Sequence, residues 1–204
     1  MSGILSIGHS NHSLEGFLTL LSKHRVSAVA DVRSAPYSRF RPQFNRDVLA
    51  ASLKPHGIDY VFLGRELGGR PDDPECYEGG RVAYERVART SGFRDGIARV
   101  IGGSAKRRIA LMCAEKEPLD CHRTLLVARA LDEAGVAVAH ILADGDLEPH
   151  GKTMDRLLVA FDLNPHGDLL QPRKDVVAHA IALQARRKSF VSKGSEEKSR
   201  RQSR

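Results

Sequence analysis

Short apolar runs alternate with stretches of helical periodicity from Gly3 to His150. The run "ILSIGHS" predicts a strand, "SLEGFLTLLSKHR" a helix with Ser13 as its N-cap, and "VSAVADVRS" a second strand. "NRDVLAASLKPHG" reads as a helix stopped by Pro55 and Gly57, followed by the strand "IDYVFLG". An irregular insertion, "RELGGRPDDPECYEGGR", precedes the helical "VAYERVARTSGFRDGIARVIGG". Then come "RIALMCA" as strand, "CHRTLLVARALDEAG" as amphipathic helix and "VAVAHILAD" as strand. Beyond the loop "ADGDLEPHGKT" lies a last helix, "MDRLLVAFDL". This alternation predicts the α/β class, with a mostly parallel sheet of about five strands flanked by helices.

Open parallel sheets bind ligands beyond the carboxyl ends of their strands. The chemically capable residues fall there: His9 and Ser10 after the first strand, Asp31 and Arg33 at the end of the second, Arg65 and Glu66 after the third. Cys113 and Glu115 end the fourth, with His140 near the end of the fifth and His150 in the loop that follows.

The net charge of +7 sits in the tail, because Lys and Arg balance Asp and Glu at 22 each through Pro172, whereas Arg173 to Arg204 carries 10 against 3. We therefore divide the chain into a single α/β domain over residues 1–172 and a basic extension over 173–204. The Ser-, Lys- and Arg-rich composition predicts disorder from about residue 186. Such a tail either adds affinity for phosphate backbones or only solubilises the domain. The three cysteines, an odd count, argue against a disulfide framework. With no apolar run of membrane-spanning length and no signal-peptide pattern at the start, the expected location is the cytoplasm, with no membrane partner.

Chemistry concentrates in "LMCAEKEPLDCHRTLLVARAL". Cys121 stands where an acidic loop becomes a helix, and the free N–H groups there favour a thiolate. His122 and Arg123 add positive neighbours. The competing readings are a small buried cap for Cys121 and core packing for Cys113. Cys113, Cys121, His122 and His150 could instead hold a divalent metal, although the eight-residue separation of the thiols is not a C-x2-C ribbon. A C-x5-R phosphatase loop is excluded, since Leu119 stands where the arginine belongs.

In "DVRSAPYSRFRPQF", Arg33, Arg39 and Arg41 stand among Tyr37 and Phe40, guanidinium forks for phosphate or carboxylate beside rings that stack on bases. The alternative is a solvated loop. "LGRELGGRP" lacks the dinucleotide and Walker patterns, and Arg65 and Arg70 make its surroundings positive.

Together "IGHSNHS", "DVRSAPYSRF", "YVFLGRELGGRP", "AYERVARTSGF", "LMCAEKEPLDCHR" and "AHILADGDLEPH" resemble the domain of unknown function 488 family, over about Ile4 to His150. The resemblance implies an α/β domain and carries no activity. The expectation is an enzyme acting on a phosphate-bearing substrate, a nucleotide or nucleic acid, by hydrolytic or base-processing chemistry. Cys121, Glu115, His9 and Asp31 are its candidate catalytic residues, and Ser10, Arg33, Arg39, Arg65 and Arg123 bind the ligand. The alternatives are a non-catalytic nucleic-acid-binding module and a Cys/His metalloenzyme.

Overall fold

The computed structural model describes residues 3–167 and 171–192. The chain begins with β1 (Ile4–Gly8), α1 (Leu14–Lys23), β2 (Ala28–Asp31), α2 (Arg46–Leu53), β3 (Asp59–Phe62) and the short α3 (Gly64–Leu67). The irregular insertion contains a hairpin, β4 (Tyr77–Glu78) and β5 (Arg81–Val82), closed by Gly79 and Gly80 at φ of 56° and 78°, the left-handed pair that a tight hairpin needs. Next come α4 (Tyr84–Ala88), α5 (Ser91–Ser104) and β6 (Ile109–Cys113). The single long helix expected over this stretch is two, because Thr90 Oγ1 accepts the Phe93 N–H and caps a new start. A π-helical turn over Arg123–Ala128 leads into α6 (Arg129–Glu133), then β7 (Val138–Ile141), β8 (Leu147–Pro149), α7 (His150–Ala160) and α8 (Arg173–Lys188).

The main sheet has six strands in the order β3-β2-β6-β1-β7-β8, parallel except for the antiparallel edge strand β8. The fold is the expected α/β class with one more strand, which lies within the stretch read as a loop. Every residue of β1, β2 and β6 is buried, so these strands read as unbroken apolar runs rather than alternating ones. Their side chains still alternate. Leu5, Ile7, Val29 and Met112 pack with α1 and α2 on one face, while Ile4, Ala30, Leu111 and Cys113 join the larger core on the other. The register sets Gly8 beside Cys113 and Asp31 beside Met112, so these strands end together at one carboxyl edge.

The basic extension begins as an ordered helix. Val176, Ala180 and Ile181 of α8 are buried, and Gln184 Nε2 donates to the Leu119 carbonyl at 3.0 Å. Val82 N–H donates to the Phe190 carbonyl, and Val191 bridges to Arg81. The helix runs on through the exposed Arg186, Arg187 and Lys188 to a buried Ser189, where disorder was expected from about 186: apolar residues at i, i+4 and i+5 are diluted when composition is averaged over the whole basic tail. The remainder of that expectation, 193–204, lies outside the described residues.

Behind β1 and β7 a polar chain runs through the core. Ser6 Oγ lies 2.6 Å from His140 Nδ1, and His140 Nε2 lies 3.0 Å from His150 Nδ1. Burial holds both imidazoles below their ordinary range, and for His140 the neighbouring His150 adds to the effect. An unfolded histidine takes its proton near pH 6.5, so these groups favour the native state fully above that pH and progressively less as the pH falls below it. Urea melts should lose up to about 1.4 kcal/mol per pH unit for each histidine below 6.5. The slope should flatten in His150→Asn, whose amide keeps the contact without titrating; an unchanged slope would remove the histidines from the account.

Candidate functional site

A cavity of about 480 Å³ opens at the carboxyl edge, walled by Cys113, Cys121, His122 and Glu115 on one side and by Ser34, Gly69 and Arg70 on another. Cys113 ends β6, while Cys121 and His122 stand where the π-helical turn begins. Local π turns recur at functional sites. This one drives Arg123 through Ala128 into the core, so the helix expected to be amphipathic starts as a segment buried on all sides.

His122 Nδ1 lies 3.8 Å from both the Cys113 and the Cys121 sulfur. Its Nε2 donates to the Val32 carbonyl at 2.9 Å, which fixes the ring and turns Nδ1 toward the two thiols. Gly69 backs this ring so closely that a Cβ there would lie 2.8 Å from His122 Cγ. The residue has to be glycine for the imidazole to keep its place.

The two thiols are shifted in opposite directions. Burial opposes ionisation of Cys121, but the hydrogen bond from Cys113 and the charges of Arg123 and His122 carry its thiol well below the usual range. The same hydrogen bond, with burial, pushes Cys113 up. Burial works against a charged His122, yet Cys121 raises it overall. Burial and the Cys121 charge also raise Glu115.

Several expected site residues hold the site without facing it. Asp31 is fully buried, and its carboxylate accepts from Arg33 N, Nε and Nη2 and from the Tyr60 hydroxyl. All its capacity is taken, so it is a strut rather than the expected acid or base. Arg33 touches the cavity wall, but its guanidinium is spent on Asp31, the Phe44 carbonyl and His9. His9 stacks on Phe44 at 4.4 Å and accepts from Arg33 Nη1 at 3.2 Å; burial first and Arg33 second lower it to about 4. Buried, with Nε2 facing Arg33 and Nδ1 facing the Ser10 carbonyl, it does not line the cavity.

Arg123 is fully buried, and its Nη1 and Nη2 donate to the Glu115 and Lys116 carbonyls at 2.6 and 3.3 Å. It fixes the loop instead of binding an anion. Ser10 spends its N–H on the Ala114 carbonyl at a φ of 43°, and it does not line the cavity. Arg39 and Arg65 are exposed, Arg39 lying over the Phe40 ring, and neither lines the cavity. His150 is held by His140 and stands apart from the Cys113, Cys121 and His122 group.

The cavity's own cations are Arg70 and Lys188, the latter 3.0 Å from Asp120. Tyr84 and Phe190 complete the wall, with Arg70 over the Phe190 ring. No sequence signal singled out Tyr84, Lys188 or Phe190, since each reaches the site through tertiary packing of the insertion and α8.

Residues 13–130 match the model of the family described as Domain of unknown function DUF488. That span contains both thiols, His122, Glu115 and Arg70, and ends before His140 and Lys188. No curated protein and no solved structure matches the chain.

Proposed function

The chain belongs to the DUF488 family, whose description assigns no reaction, and from the geometry of the site we propose that it is an enzyme hydrolysing a phosphate-bearing substrate, a nucleotide or nucleic acid. One observation carries this reading: two thiols, one imidazole and the Glu115 carboxylate wall the same cavity as the Arg70 and Lys188 cations. Arg70 takes the anionic part of the substrate, Lys188 joins it from its pairing with Asp120 on the same wall, and the thiol–imidazole group forms the reacting end. Glu115, whose carboxyl burial and the Cys121 charge push up, serves as the acid–base group. Tyr37 is 58 % exposed and lines the mouth, and Phe40 is 74 % exposed on the same loop; these rings support a substrate that carries bases. No helix among the described residues is long and apolar enough to cross a membrane. Three free, buried cysteines support a cytoplasmic, reducing location.

The test is calorimetric titration with inorganic pyrophosphate and with a short single-stranded oligonucleotide, followed by mass spectrometry for products. Arg70→Ala and Lys188→Ala should each weaken binding roughly tenfold, the worth of one charge-assisted contact. Affinity indifferent to both changes would sink the anion site, and tight binding without turnover by the wild-type protein would make it a binding module.

A further inference from the structure

We infer that Cys113, Cys121 and His122 are the three protein ligands of a zinc ion whose fourth position opens onto the cavity. Binding of the ion follows from geometry alone; its role in turnover rests on the function proposed above.

The separations leave room for one ion between the three donor atoms. Tetrahedral zinc with sulfur at roughly 2.3 Å and nitrogen at roughly 2.05 Å sets each sulfur about 3.6 Å from the nitrogen. The observed distance is 3.8 Å to each sulfur, and all three donor atoms lie within 4.8 Å of one another. One imidazole nitrogen stands at the same distance from both sulfurs, the placement of a common ligand centre.

The surroundings agree. His122 reaches the centre through Nδ1 while its Nε2–H is anchored on the Val32 carbonyl, the outer-shell bond that orients metal-binding imidazoles. Sulfur and imidazole donors suit zinc and discriminate against magnesium and calcium. Two thiolates balance the charge of the ion, so the buried centre is neutral overall. Three protein ligands with a cavity on the open side is the pattern of a catalytic rather than a structural zinc.

Water at the open position would have its pKa brought near about 7. In hydrolysis its oxygen bonds to the electrophilic centre of the substrate as the bond to the leaving group breaks. One proton passes to Glu115 and on to the departing group, and the ion is unchanged.

The full chain, reduced with a non-chelating phosphine, should show one zinc per protein by native mass spectrometry and elemental analysis. After stripping, cobalt(II) should restore a stoichiometric tetrahedral spectrum with a sulfur-to-metal charge-transfer band, a readout that needs no substituted protein. Cys113→Ser, Cys121→Ser and His122→Gln should each weaken zinc by more than the roughly 10- to 100-fold that outer-shell changes cause, while Cys76→Ser leaves it intact. Failure of the reduced protein to take up either ion overturns the site, as does a Cys113–Cys121 disulfide whose reduction creates no metal affinity. Full retention of zinc by the three ligand variants also overturns it. Loss of pyrophosphate affinity in Arg70→Ala with zinc retained, or the reverse, separates the fate of this inference from that of the anion cleft.

Discussion

Asp31→Ala lowers the free energy of unfolding by about 3–5 kcal/mol, the range for removing one partner of a buried ion pair. The carboxylate is wholly inaccessible, and the Arg33 side chain facing it is only 7 % exposed. Without Asp31 the guanidinium keeps the Phe44 carbonyl and His9 but no countercharge, and the Tyr60 hydroxyl loses its acceptor. Desolvation of that orphaned charge dominates the loss, so taking out both charges together should be milder than taking out one. Asp31→Leu with Arg33→Leu is accordingly expected to recover a large part of the stability, read as a return of the urea midpoint toward the wild type. A single-variant loss below about 1 kcal/mol would mean that water reaches the pair.

Arg123→Met is expected to lower stability by about 3 kcal/mol and to loosen the loop that carries Glu115. Its guanidinium donates to the carbonyls of Glu115 and Lys116, each worth about 1–3 kcal/mol when left without a donor. Gly8 shows how tight that packing is, since a Cβ there would meet the Glu115 carbonyl oxygen at 1.9 Å. Arg123 is also among the charges that favour a Cys121 thiolate. The ultraviolet thiolate titration of the reduced, metal-free variant should therefore move to higher pH. Arg123→Lys, with a point charge in place of a planar fork, should restore most of the titration and only part of the stability. Unaltered melting and an unaltered titration would show that the loop holds itself.

The contrast between Arg33 and Arg123 on one hand and Arg70 and Lys188 on the other marks what was readable from the chain. Strand ends were legible because parallel strands are short apolar runs bounded by turn residues, and the strand ends placed Asp31, Cys113 and Glu115 at one edge. That Cys113, Cys121 and His122 stand at one strand-to-helix junction was also legible, but that their donor atoms meet, and without His150, depends on the fold. Which guanidinium faces water and which is swallowed was not, because that depends on packing depth: the π turn takes Arg123 inside, and the Asp31 register takes Arg33. Lys188 and Phe190 escaped for the opposite reason. Their local composition is that of a solvated tail, and only the seating of α8 against the Leu119 carbonyl brings them to the cavity.

The central claim is that the Cys113, Cys121 and His122 group is the reacting centre of an anion-binding cleft. It is tested most directly by turnover of a panel of 5′-mononucleotides and short single-stranded oligonucleotides, comparing the wild-type protein with His122→Gln. Glutamine can still donate to the Val32 carbonyl but offers no imidazole lone pair to the sulfurs. The account predicts product from the wild-type protein and a fall in kcat/KM of about 10³-fold or more in the variant. Equal turnover by the two proteins, or no turnover of any member of the panel by either, would contradict it.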